Sequence, residues 1–556
     1  MIRVFTRWTL FVGALATAAC GSGEPDPPDT VDCSTVAPLA LAAGQFTILD
    51  ATEVGCVRVP GAGAEETEYL YVALSGDGTV SMNGETAAYA LHGGPSSAAV
   101  AAASHAVFDR APSRAQAFHD MLRARERTLS RQPAAVSDVR SRIATSSRAA
   151  VPPALGSKRT FDVCATTTCD NFVSSTGTVK VVGQRVAIYL DDDAPPGFTQ
   201  QDLDDVGALF DAHLYGIDTT AFGLESDLDG NDVVIVLLTQ HVNDLSADCN
   251  TSGSIVLGFF FGLDLLPTQP NSNDGEVFYG AVPRQDMPNC SSYTKNLVTQ
   301  SLPGVFVHEF QHMISWNQHV LERGGDVEET WLNEGLSHYA EELAGRQVPD
   351  QFCPAFSQCE DQFLGDNIFN AYNYLNDPES SFLVAPSSSG GTLTERGSAW
   401  LFVRWLGDHF SATQPQATEL TRALLLTSRT GADNVENATG DDFPTLVSQW
   451  QMANYVSDLP GFVPASNRLD YTSFNLRQLY AANFPGVFNK PYPLTPDSTR
   501  TGAYDNSGIL RGGSGRHVRI IQPAGSSEVS FRLTDGAGTV PLASTIVPRI
   551  AVVRVR

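Results

Sequence analysis

Hydrophobic and polar positions change period several times along the chain, and each change predicts a different kind of element. Between Cys33 and about His92, short β-rich runs such as 69–74 and 79–82 alternate with glycine-containing turns, which predicts a small β domain over 33–95. From Phe161 the runs lengthen and a helical stretch intervenes. Segments 178–190, 200–215, 233–238 and 255–261 read as a mixed α/β lobe over 161–300. After Ser301 the apolar spacing turns helical, near 301–320, 330–344, 396–410 and 443–456, which predicts a mainly helical lobe over 301–465. Short β runs return at 518–522, 528–533 and 549–555, so 466–556 reads as a terminal β-rich region. The expected fold class is α+β, a mixed α/β lobe followed by a helical one, flanked by two small β modules. A chain of 556 residues is long enough for two to four such units.

Composition adds the compartment. Arg3 and Arg7 precede an apolar run, 9–19, that is too short to span a bilayer, so 1–19 reads as an export signal. Ala18 and Ala19 stand directly before Cys20, which predicts lipidation at Cys20 and an outer-membrane or cell-surface lipoprotein. Thr17 stands where such signals usually carry Leu, so full secretion is the other reading. Residues 20–32 look like a flexible tether, and a membrane is expected to be touched only through that anchor. Setting Cys20 aside leaves an even set, Cys33, Cys56, Cys164, Cys169, Cys249, Cys290, Cys353 and Cys359, as disulfides in an oxidising compartment require. Sequence order suggests four local bridges; other connectivities stay open.

The formal charge of -27, from 35 Lys+Arg against 62 Asp+Glu, repels a phosphate backbone and argues against nucleic acid as a partner. One stretch reverses that sign. Arg110, Arg114, Arg123, Arg125, Arg127, Arg131, Arg140, Arg142, Arg148, Lys158 and Arg159 cluster in or beside 96–160. This region reads either as a solvated helix near 115–129 with a linker, or as a removable prosegment whose basic face lies on the acidic domain that follows.

The chemistry concentrates in Val305-Phe-Val-His308-Glu309-Phe-Gln-His312-Met. Histidines four apart project from one face of a helix and can bind one Zn²⁺, and the glutamate after the first is placed beside a metal-bound water as general base. Pro303 suggests a helix beginning near it, with Ser301 as cap. A second helix, 330–343, carries Glu334 after twenty-one intervening residues, 313–333, that include a turn at Gly324-Gly325. Its return would bring Glu334 to the imidazoles as a third ligand and leave one position open for water. Residues about one and two turns after Glu334, namely His338, Glu341 and Glu342, are candidates to orient the ligands.

Trp331-Leu332-Asn333-Glu334-Gly335 beside the HExxH motif resembles the gluzincin metallopeptidases. His-Glu-Phe-Gln-His-Met-Ile and Glu-Thr-Trp-Leu-Asn-Glu-Gly-Leu-Ser-His are similar to the hyicolysin family of secreted bacterial metallopeptidases, over about 161–458. The resemblance implies a zincin-like fold, one Zn²⁺ per chain on His308, His312 and Glu334, and peptide-bond hydrolysis of a protein or peptide substrate. The Gly-x-Met-Glu-Asn segment with which the large aminopeptidases grip a substrate amine is missing, and thermolysin-like enzymes carry Asp where this chain has His338.

Other roles are expectations of lower resolution. A tyrosine or histidine usually stabilises the oxyanion, and Tyr372, Tyr374, His319 and His409 are candidates. Asp227, Asp229 and Asn231 resemble a calcium loop without its final glutamate, so Ca²⁺ and a plain Asp/Gly turn both remain readings. Besides an endopeptidase, the sequence leaves room for a catalytically silent surface binding lipoprotein on a peptidase scaffold, and for an aminopeptidase.

Overall fold

Strands from the two ends of the chain share the same sheets. A computed structural model describes residues 31–94, 114–145, 151–538 and 540–556; the expected export signal, Cys20 and most of the expected tether lie outside the described residues. The first strands are β1 (Phe46–Asp50), β2 (Cys56–Val59), β3 (Thr67–Ser75) and β4 (Thr86–Gly94). The last are β11 (Asp497–Thr499), β12 (Tyr504–Arg511), β13 (Gly515–Gln522), β14 (Val529–Asp535) and β15 (Pro548–Arg554). They form one sheet in the order β1-β15-β3-β13-β11 and a second in the order β12-β4-β14-β2. The expected pair of separate β modules is therefore a single domain. Alternating hydrophobicity reveals a strand but not its partner, which is why the sequence placed the two halves apart.

Residue alternation in β3 explains how this domain meets the rest. Tyr69, Tyr71 and Ala73 point into the core between the two sheets, whereas Leu70, Val72 and Leu74 point the other way, into the main core of the chain. Both faces of β3 are thus buried.

The middle of the chain opens with helices α1 (Arg114–Ser130) and α2 (Pro133–Thr145). A six-stranded sheet follows, built from β5 (Lys158–Cys164), β6 (Phe172–Val182), β7 (Val186–Asp191), β8 (Val234–Leu238), β9 (Gly258–Phe260) and β10 (Val277–Gly280). Its order is β5-β6-β7-β8-β10-β9, with β7, β8 and β10 parallel and β9 an antiparallel edge. The fully apolar β8, Val-Ile-Val-Leu-Leu, is buried on both faces as a parallel strand must be. Helices α3 (Gln200–Leu209) and α4 (Tyr215–Phe222) connect β7 to β8.

The helical half comprises, with shorter pieces between, α5 (Lys295–Trp316), α6 (Thr330–Gln347), α7 (Cys359–Asn376), α8 (Leu393–Phe410) and α9 (Phe443–Val456). Helix α5 starts earlier than Pro303 suggested. Thr294 caps it by accepting from the Leu297 amide at 3.2 Å, and Pro303 sits inside it. An interior proline costs roughly 3 kcal/mol. Burial of Val298, Leu302, Phe306 and Val307 offsets that cost, and Phe306 meets Phe278 of β10 edge-on at 4.6 Å. Disulfides join Cys33 to Cys56, Cys164 to Cys169, Cys249 to Cys290 and Cys353 to Cys359. Among the described residues no helix is long and apolar enough to cross a membrane.

Candidate metal centre

His308 and His312 lie one turn apart on α5, where the helix is buried on all sides. The helix runs into a π-helical turn, 317–322, and reverses at Gly324, whose φ of 67° suits a residue without a side chain. Helix α6 then packs along α5 and brings Glu334 to the imidazoles. Glu334 Oε2 is 3.4 Å from His308 Nε2, and Oε1 is 3.6 Å from His312 Nε2. One ligand atom from each of the three residues lies within 4.8 Å of the others. Glu334 Oε2 is buried and makes no hydrogen bond, and the cation it meets is the Arg396 guanidinium beside it. Two imidazoles and a carboxylate in this arrangement can hold a metal ion.

The surroundings set the orientation of each group. His308 Nδ1 is 2.7 Å from Glu341 Oε1, which leaves Nε2 to face Glu334. Glu341 also lies 3.2 Å from His338 Nδ1, and the His338 ring meets His308 edge-on at 4.8 Å. Ser337 Oγ is 3.1 Å from His312 Nδ1 and donates to Gln311 Oε1. Glu342 does not join this group. Successive helix positions differ by about 100°, and Glu342 points instead into the core, where it accepts from Arg404 at 2.9 Å, Arg346 at 2.8 Å and Trp400 at 3.0 Å.

Glu309 is buried beside the centre, and its Oε2 accepts from the Phe260 amide at 2.9 Å. Burial pushes its carboxyl up, against the opposing pull of His308 and Arg123. Burial also works against the charge on Glu334, but Arg396 and the two imidazoles outweigh it and hold that carboxyl well below the usual range. Arg396 Nη1 is 3.1 Å from Glu334 Oε2. A capping box between Thr392 and Glu395 fixes the start of α8 and so the position of Arg396. Gly335 lets α8 approach, since a Cβ there would lie 3.0 Å from the Ala399 carbonyl.

A known metallopeptidase shares part of this sequence. The neutral metalloprotease ShpI of Staphylococcus hyicus is 24% identical over 261 residues, 47% of this chain and 52% of that protein. The chain thus spans about half the length of the curated relative it matches. No protein-family model matches. The likeness and the His-His-Glu group together support a metallopeptidase.

The four tyrosine and histidine candidates for oxyanion stabilisation are engaged elsewhere. Tyr372 donates to Asn489 Oδ1 at 2.6 Å and stacks on Phe488; Tyr374 accepts from Gln451 and stacks on Trp450. His319 is buried 3.8 Å from Glu328, and His409 Nε2 lies 3.0 Å from the Asp470 carbonyl. The two tyrosine hydroxyls and His409 Nε2 thus have partners of their own, whereas both ring nitrogens of His319 are buried without a hydrogen bond.

At the Asp/Gly loop, the ligand-type oxygens brought together belong to Asp227, Asp229 and the buried Glu276. Asn231 is used in the turn itself, donating to Asp229 Oδ2 at 2.7 Å and accepting from the Val233 amide at 2.7 Å.

Two arginines at the centre escaped sequence reasoning. Arg396 lies in the first turns of α8, where the sequence assigns it no role, and Arg123 belongs to the basic stretch that reads as a solvated helix or a prosegment. Arg123 is 4% exposed, and its Nη2 lies 4.0 Å from Glu309 Oε2. A buried arginine demands a buried partner, but the sequence does not say which.

Proposed function

We propose that this protein is an exported zinc-dependent peptidase of the gluzincin type that cleaves internal peptide bonds. The observation that carries the reading is the convergence of His308, His312 and Glu334 with the Glu309 carboxylate held beside them. Zinc in such a site lowers the pKa of a bound water and polarises a substrate carbonyl. His308, oriented by Glu341, and His312, oriented by Ser337, would hold it with Glu334. The Phe260 amide donates to Glu309 Oε2, so Oε1 is the oxygen that would accept a proton from water and return it to the leaving amine. Arg396 supplies a fixed positive charge at the centre, suited to developing negative charge on the substrate. Four disulfides and the N-terminal signal support export, either as a lipoprotein anchored through Cys20 or as a secreted protein.

The test is hydrolysis of an end-blocked peptide by wild type and Glu309→Gln, before and after limited proteolysis, with chelator and then with zinc restored. Chelator-sensitive cleavage lost in the variant is the expected result. Zinc binding without cleavage of any peptide would favour the silent binding module, and cleavage confined to free N-termini would favour an aminopeptidase.

A further inference from the structure

Helix α1 lies across the candidate centre and ties its two walls together. On the sheet side, Arg123 Nη2 donates to the Phe260 carbonyl at 3.1 Å, and Glu126 Oε1 accepts from the Gly262 amide at 2.8 Å. Arg123 and Glu126 pair with each other at 3.0 Å, both buried. Phe118 is fully buried and meets Phe259 of β9 edge-on at 5.0 Å. On the helical side, Arg127 donates to Thr330 Oγ1 at 2.6 Å and to the Ser387 carbonyl at 2.8 Å, and Gln116 donates to the Gly391 carbonyl at 2.6 Å.

Strand β9 is the edge of its sheet, bonded on one side to β10. The free side of an edge strand offers amides and carbonyls on which an extended peptide can align. Here α1 takes the Phe260 carbonyl through Arg123 and, in the turn just after β9, the Gly262 amide through Glu126, while the Phe260 amide goes to Glu309 and the Arg123 guanidinium stands beside that carboxylate. We infer that α1 occupies the surface on which a peptide substrate lies, so that the protein in this conformation is latent and α1 must be displaced or removed before substrate binds. The inference rests on the peptidase reading for its activity readout but not for its structural one.

A staple tests it in the full chain. A Cβ placed on Gly390 would lie 3.2 Å from Asp120 Cγ, where a cysteine Sγ would stand, so Asp120→Cys with Gly390→Cys can close a disulfide that pins α1. Gly390→Cys alone is the control, and Arg123→Ala loosens the helix instead. Two rates are read: hydrolysis of an end-blocked fluorogenic peptide, and removal of zinc by a chelator. Oxidation of the double variant should slow both by at least about tenfold and reduction should restore them, while Arg123→Ala should run faster than wild type in both. Equal zinc-removal rates in the oxidised and reduced double variant, or full hydrolysis by the oxidised form, would overturn the latch. If no form hydrolyses peptide but the staple still slows zinc removal, the peptidase reading fails and the covering of the centre by α1 stands.

Discussion

His308 Nδ1 lies 2.7 Å from Glu341 Oε1, and this contact decides which ring nitrogen faces Glu334. A carboxylate behind a metal-binding imidazole fixes its tautomer and raises its basicity, and loss of such a partner typically weakens metal binding by roughly 10–100-fold. Glu341→Ala should therefore lower zinc affinity by about that factor, measured by competition with a chromogenic chelator. Glu342→Ala should act on stability and leave zinc affinity within about twofold, because its partners are Arg404, Arg346 and Trp400.

Arg396 and Glu334 form a buried ion pair at 3.1 Å. Removing one partner of such a pair costs about 3–5 kcal/mol, because a charge is left buried without compensation. Arg396→Gln should lose stability on that order in metal-free protein. Zinc should restore much of the loss, since a bound cation neutralises the same carboxylate. Denaturant unfolding with and without zinc measures the difference, and an equal loss under both conditions would count against a cation site at Glu334.

Glu276 gives a pH dependence with a definite sign. Burial, aided by Asp229, pushes its carboxyl up to about 8, whereas unfolding returns it to 4.5. Between those values the folded chain holds a proton that the unfolded chain has lost. Its contribution is present at low pH and is lost as pH rises through that window, at on the order of 1.4 kcal/mol per pH unit. The urea midpoint should fall between pH 5 and pH 8, and Glu276→Gln should flatten the decline. An unchanged slope in the variant would assign the dependence to other groups.

The Cys249–Cys290 bridge closes 41 residues of sequence that include β9 and end just before α5. Closing a loop of that length stabilises a fold by about 4 kcal/mol in the chain-entropy model. Replacing both cysteines by alanine should lower unfolding stability by a comparable amount, read from denaturant midpoints under non-reducing conditions.

How much of this was legible beforehand depended on whether a signal was local. The four-residue interval between His308 and His312 is a property of any helix, and the Gly324-Gly325 turn made a return of Glu334 plausible from the sequence. Helix phase was not legible: His338, Glu341 and Glu342 fall about one or two turns after Glu334, and only packing reveals that Glu341 faces His308 while Glu342 faces Arg404. Charge pattern alone leaves 115–129 open as a solvated helix or a segment against the acidic domain, because burial of Arg123 depends on Glu126 and Glu309 meeting it in space. Partners separated by most of the chain were invisible for the same reason, as with β1 and β15, whose strand character was legible in part but whose pairing was not.

The most direct measurement of the central claim is zinc content of wild type, Glu309→Gln and Glu334→Ala, each dialysed against the same low free-zinc buffer. The account predicts one zinc per chain in wild type and in Glu309→Gln, and a loss or large weakening of binding in Glu334→Ala. Absence of zinc from the wild type, or undiminished binding in Glu334→Ala, would contradict it.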